Sequence, residues 1–279
     1  MLTAKAKRLI FTVVAIIVAA IWAFPVYWMV NSSLLPNVKL ESPIPTFFPI
    51  GGSLDNYGNV LKNGDFFQAL GISAAVTLIA VAGCLLIAFL AALAISRFRF
   101  KGRTSFVLTV LIVQMLPAEG MFIAQSQMMS NLGLKNNILG LSLLYMAAVV
   151  PFTIWMLRGF VTGVPIELEE AAMVDGLSRA QAFFRITFPL LAPGLVASGV
   201  FAFLQCWNEF TVGLVMMTDN ENHTLPLWLR AFVQSSATRA IDWGQVMAAS
   251  TLVAIPVVIF FIIVQGRMTS GLVSGAVKG

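Results

Sequence analysis

Residues 170–189 read EAAMVDGLSRAQAFFRITFP. This polar, charged, helix-prone stretch lies between two long apolar runs, residues 138–157 and 186–207. Pro165 suits a first helical position, because its φ is preset and its missing N–H would be unpaired there anyway. Glu167, Glu169 and Glu170 fall in the first turns, where the helix dipole favours acids. Ala171 and Ala172 are small enough to let another surface approach. Asp175-Gly176 is a helix stop, with glycine accepting a left-handed cap. Ser178 can cap a second helix through Phe183 and Phe184, which Pro189 ends. The spacing predicts a short helix, a turn and a short helix within a loop of residues 163–189. The face of Leu168, Ala171, Ala172 and Val174 is partly apolar, which suits either an interfacial amphipathic segment or a docking element.

Around this loop the chain is built for lipid. Of its 279 residues 59% are hydrophobic and 10% charged, whereas a soluble domain carries about 25% charged residues. Six apolar runs approach or exceed the ~20 residues that cross a bilayer as helix. They are residues 9–30, 67–95, 104–129, 138–157, 186–207 and 243–265, the third interrupted by Glu119. Backbone groups in hydrocarbon must bond internally, so the runs are expected to be helices. The expected fold is therefore all-α, a single six-span membrane domain over residues 1–279.

The net charge of +5 reads as a topological signal rather than a nucleic-acid surface. Lys5, Lys7, Arg8, Arg97, Arg99, Lys101, Arg103, Arg158, Arg179, Arg185, Arg267 and Lys278 fall on one side of the six-span scheme. Only Lys39, Lys62, Lys135, Arg230 and Arg239 fall on the other. The positive-inside rule then places both termini and the 163–189 loop in the cytoplasm. Residues 31–66, rich in proline and containing Gly51-Gly52, read as an outer loop of extended chain and turns. Cys84 and Cys206 lie in apolar runs and read as core packing. The single His223 gives no metal cluster. The basic start precedes an apolar run longer than a cleavable signal's, without a small-residue cleavage site.

The motifs carry a resemblance. Glu170-Ala171-Ala172, Gly176, Ile186 and Pro189 keep the spacing of the EAA loop of permease subunits of ATP-binding-cassette importers, with Phe188 where leucine is usual. Ser96-Arg97-Phe98 with Gly102, Leu132-Gly133-Leu134 with Asn136 and Gly140-Leu141, Trp207-Asn208-Glu209-Phe210, Thr224-Leu225-Pro226 and the final Gly275-Ala276-Val277-Lys278-Gly279 resemble signatures of the sugar-type permeases. Asn137 stands where threonine is usual. The chain is similar to the second permease subunit of the maltose-type group.

That resemblance implies a cell-membrane heterodimer with another permease in a prokaryote. It also implies two ATPase subunits inside and an extracytoplasmic binding protein that delivers a sugar or sugar-like solute. Glu170, Ala171, Ala172, Asp175 and Gly176 would form the coupling helix in a cleft of the ATPase. Gly275 and Lys278 would belong to a tail docked between the ATPases. The loop at 218–242 would reach toward the binding protein. The chain has no Walker motif, so no cofactor is expected on it, and ATP with Mg falls to the partner ATPase.

Gln205, Asn208 and Glu209 are candidates for the translocation pathway or a gate. Glu209 also reads as a structural anchor beside Trp207, the more common role, and Glu119 as an outer kink or a cavity-lining acid. Trp22, Trp28, Trp155, Trp228 and Trp243 could stack on sugar rings or anchor at the membrane interface. Outside this family, the alternative is a self-contained secondary transporter or channel. Such a protein would show inverted repeats or buried coupling acids, and no repeat is evident.

Overall fold

The computed structural model describes residues 4–62, 65–117, 120–237 and 241–276. Among these all regular structure is helical. In chain order the α-helices are α1 Ala4–Ser33, α2 Asn37–Leu40, α3 Asp55–Lys62, α4 Phe66–Arg97, α5 Arg103–Gln114, α6 Phe122–Asn131, α7 Ile138–Gly163, α8 Glu167–Val174, α9 Arg179–Ala182, α10 Phe188–Trp207, α11 Thr211–Met216, α12 Leu225–Ala237 and α13 Trp243–Ala276. Among the described residues five stretches are long and apolar enough to span a membrane: Lys7–Ser33, Phe66–Arg97, Ile138–Gly163, Arg179–Trp207 and Trp243–Gly266.

The third apolar run differs from its expectation. It divides into α5 and α6, and the 12 residues of α5 extend only about 18 Å, short of the ~30 Å hydrocarbon core. Pro117 supplies the reason: it has no N–H, and its ring disfavours helix in the residue before it. Glu119 lies outside the described residues.

The chain forms two compact units. The first contains Met1–Phe66 and Leu229–Pro256. In it, α1 exposes Leu9, Phe11, Ile16, Ile21 and Trp22, a surface made for lipid or another chain. The loop beyond α1 is more ordered than its proline content suggests. Asn56 donates to the carbonyls of Ser33 and Leu35, both at 2.9 Å. The Asn31 amide donates to the Thr46 carbonyl at 2.8 Å, and the Trp243 N–H donates to Asn37 Oδ1 at 2.9 Å. The eight-residue α3 replaces the extended chain expected there.

The second unit contains Phe67–Trp228 and Val257–Gly279. Along α4, Val76, Ala80, Cys84, Ala88 and Ala92 recur every fourth residue, all buried. This stripe of mostly small side chains permits close helix packing. Ser142 Oγ on α7 donates to the Val76 carbonyl at 3.3 Å, and Cys84 Sγ donates to Thr153 Oγ1 at 3.4 Å. Both cysteines are free and buried, as core residues would be.

The approach to α7 explains the LGL-N-GL pattern. A Cβ on Gly140 would lie 2.1 Å from the Leu134 carbonyl oxygen, so only glycine fits. Asn136 adopts φ 54°, and its Oδ1 accepts from the Thr218 N–H at 2.6 Å. Asn137 caps α7 by accepting from the Leu139 N–H at 2.8 Å, a role threonine can also fill.

Candidate functional site

The polar loop folds as a short helix with a complete C-terminal lock. Gly176 takes φ +93° with open space around its α-carbon. Its N–H donates to the Met173 carbonyl, and that of Leu177 to the Ala172 carbonyl, both at 3.1 Å. These are the paired bonds of a Schellman cap, and a side chain at position 176 would strain it by about 1 kcal/mol or more. After the turn, Ser178 and Gln181 form a reciprocal capping box at 2.9 and 3.3 Å.

The second helix does not stop at Pro189. It continues through a π-helical turn, Phe183–Thr187, into α10. Proline's ring would collide with a carbonyl four residues back and offers no donor. The wider turn before it accommodates both defects, and Pro189 sits in the first turn of α10.

A buried polar node holds the short helix. Glu169 is 9% exposed. Its Oε1 accepts from Thr187 Oγ1 at 2.7 Å and pairs with Arg97 Nη2 at 3.5 Å. The same Nη2 donates to the Val164 carbonyl at 3.0 Å. The carboxylate thus ties α8 to the end of α4 and to the π turn, and Arg97 extends the tie to the end of α7. Ala172 is 7% exposed and packs into the chain's own interior. Glu170, Ala171, Asp175 and Gly176 lie on the outer side, and Val174 and Leu168 are exposed as well. Of the five residues expected to meet a partner, four are therefore presented outward, while Ala172 supports the helix from beneath.

The residues around Trp207-Asn208-Glu209-Phe210 divide by role. Trp207 is buried and stacks on Phe203, with centroids 5.3 Å apart. Asn208 Nδ2 turns back to the Leu204 carbonyl at 2.9 Å, closing α10. Glu209 accepts from the N–H groups of Val212 at 2.7 Å and Gly213 at 3.0 Å, so its carboxylate satisfies the start of α11. Gln205 and Glu209 also line a cavity of about 250 Å³ with Gln114, Gln125, Tyr145, Phe152 and Phe201. Asn208 is not in that lining.

Trp228 is buried, and Trp28 packs edge-on against Phe47. Trp155 lies under the Arg158 guanidinium at 5.0 Å. Gly275 falls within α13, and Lys278 lies outside the described residues. Arg97, Glu169 and Thr187 carry no motif that marks them as a set, nor do Gln114, Gln125 and Tyr145 as cavity lining. A buried acid or a facing amide has no local signature when its partners are distant in the chain.

Residues 85–272 match the family model for the binding-protein-dependent transport system inner membrane component. The chain belongs to that family. It is 43% identical over 256 residues to the diacetylchitobiose uptake system permease protein of Streptomyces coelicolor, covering 92% of each. It is 34% identical to the trehalose/maltose transport system permease protein of Thermococcus litoralis, covering 98% of each.

In three dimensions it is similar to a chain in the crystal structure of a bacterial ABC transporter involved in the import of the acidic polysaccharide alginate. The TM-score is 0.77 at 23% identity, over 95% of this chain and 99% of that one. At that identity the likeness concerns the fold. As an inner membrane component of a binding-protein-dependent transport system, this permease is not the self-contained transporter or channel of the alternative reading.

Proposed function

We propose that this permease is one of two membrane subunits of an ATP-driven importer, and that it carries a carbohydrate or carbohydrate-like solute inward. The observation that carries this reading is the 43% identity to a diacetylchitobiose uptake permease over nearly the whole of both chains. The trehalose/maltose permease at 34% supports the same solute class. A soluble extracytoplasmic protein delivers the solute, and separate ATPase subunits bind ATP with Mg and supply the work. This chain is not itself an enzyme.

In this reading the chain crosses the membrane six times, α5 and α6 together making the third crossing. Both termini face the cytoplasm, an orientation the lysine and arginine distribution supports. Helix α8 fits a cleft of an ATPase subunit. Its outward Glu170, Ala171, Asp175 and Gly176 make the contact, while Ala172 and the Arg97–Glu169–Thr187 node hold the helix to the bundle. Movement imposed on α8 then passes to three membrane helices at once. The end of α13, with Gly275 and Lys278, docks between the ATPases.

The test is composition and transport. A complex purified from its host's membranes through a tag on this chain should contain a second permease, an ATPase and, with solute present, a binding protein. In liposomes it should import labelled diacetylchitobiose, trehalose or maltose only with ATP and the binding protein. Uptake by this chain alone, or driven by an ion gradient, would refute the proposal.

A further inference from the structure

The cavity beside α10 is built from one face of each of two long helices. Phe201, Gln205 and Glu209 recur every fourth residue on α10 and its end, and Tyr145, Val149 and Phe152 lie on one face of α7. At helical spacing each set shares a side. Gln114 closes the cavity from the end of α5 and Gln125 from α6. Five helices, α5, α6, α7, α10 and, through Val212, α11, thus converge on about 250 Å³ of space.

Three glutamine amides stand in that lining beside the Tyr145 hydroxyl and the Glu209 carboxylate. Glutamine amides each offer two donors and one acceptor oxygen, and three of them face the cavity. The Glu209 carboxylate already accepts two backbone N–H groups, so its charge is compensated by the start of α11. Among the described residues lining the cavity there is no lysine or arginine, and an anionic solute would find no counter-charge. Phe152 and Phe201 pack against each other, centroids 4.3 Å apart and tilted by 38°, giving an apolar wall beside the amides.

Gln114 and Gln205 are exposed along this chain. An amide left bare in hydrocarbon costs several kcal/mol. That side of the bundle therefore faces water, solute or protein.

We propose that Gln114, Gln125 and Gln205, against the Phe152–Phe201 wall, form a solute subsite in this subunit for an uncharged, polyhydroxylated molecule. Sugar hydroxyls both donate and accept, as the amides do, and the C–H face of a sugar ring packs on aromatic carbon. The inference rests on the carbohydrate reading above and locates direct solute contact in this chain.

The test uses the complete reconstituted importer with its binding protein, and labelled diacetylchitobiose, trehalose and maltose as probes. The readout is solute imported per ATP hydrolysed, which cancels losses of folding or assembly. For the best-imported probe, Gln205→Ala and Gln114→Ala should each lower this ratio by up to about tenfold, the worth of one lost hydrogen bond, and the double variant should lower it further. Gln127→Ala, outside the lining, should leave it unchanged.

A double variant with the unmodified ratio would overturn the subsite. So would an equal fall in Gln127→Ala. If the amides hold the second permease instead, the double variant will show weaker assembly at an unchanged ratio, which also overturns the proposal. If the unmodified importer moves none of the probes, the carbohydrate reading fails and the subsite with it.

Discussion

Replacing Glu169 with alanine tests the attachment of α8 most directly. In the folded chain this carboxylate bridges Arg97 Nη2 at 3.5 Å and Thr187 Oγ1 at 2.7 Å. Side-chain exposure is only 14% for Arg97 and 11% for Glu169. Removal leaves a guanidinium with the Val164 carbonyl as its remaining hydrogen-bond acceptor among the described residues, and it strips the fully buried Thr187 hydroxyl of its carboxylate. Breaking one side of a buried pair costs about 3–5 kcal/mol, and an orphaned buried hydroxyl about 1–3.

The 3.5 Å separation exceeds that of a strong charge-assisted bond, so the lower ends apply and the sum is roughly 4 kcal/mol. The loss falls on the local attachment of a short helix. Backbone amides of α8 should therefore exchange with solvent roughly two to three orders of magnitude faster. The assay is hydrogen exchange with mass spectrometry on the detergent-solubilised complex. The double variant Arg97→Met/Glu169→Leu removes both charges and should recover most of the protection. Exchange within about threefold of the unmodified protein after Glu169→Ala, or a double variant no better protected than the single, would refute the reasoning.

Glu209→Ala removes the acceptor for two N–H groups at the start of α11. It should cost about 1–2 kcal/mol and lower the unfolding temperature of the purified complex by roughly 3–6 °C. Glu209→Gln should lose about half as much, and no shift in either would remove the capping role. Single cysteines at Gly102 and Ser178 should be shielded from an impermeant thiol reagent in intact cells, while one at Asn222 should react. The native Cys84 and Cys206 are buried and give little background; outside labelling at Ser178 would reverse the orientation.

Much of the fold was legible because a chain in lipid has few choices. Hydrocarbon offers no partner for a bare N–H or carbonyl, so a long apolar run must close its bonds within itself. Five of the six runs are long helices for that reason. The short helix of the polar loop was equally readable, since Gly176 and Ser178 act through bonds a few residues away. The third run is the exception: Pro117 breaks the expected single helix, leaving α5 and α6.

Tertiary structure decided what depends on distant partners. Glu167, Glu169 and Glu170 look alike in sequence, yet only Glu169 is buried. Its partner Arg97 lies 72 positions away, and no local pattern records that meeting. Ala171 and Ala172 likewise divide into an outward and an inward alanine only when α8 settles on its neighbours. The cavity follows the same logic: Gln114, Gln125 and Gln205 are ordinary polar residues until three helices bring them to one space. Backbone hydrogen bonding is local and leaves a pattern in the chain, whereas side-chain pairing is set by packing and leaves none.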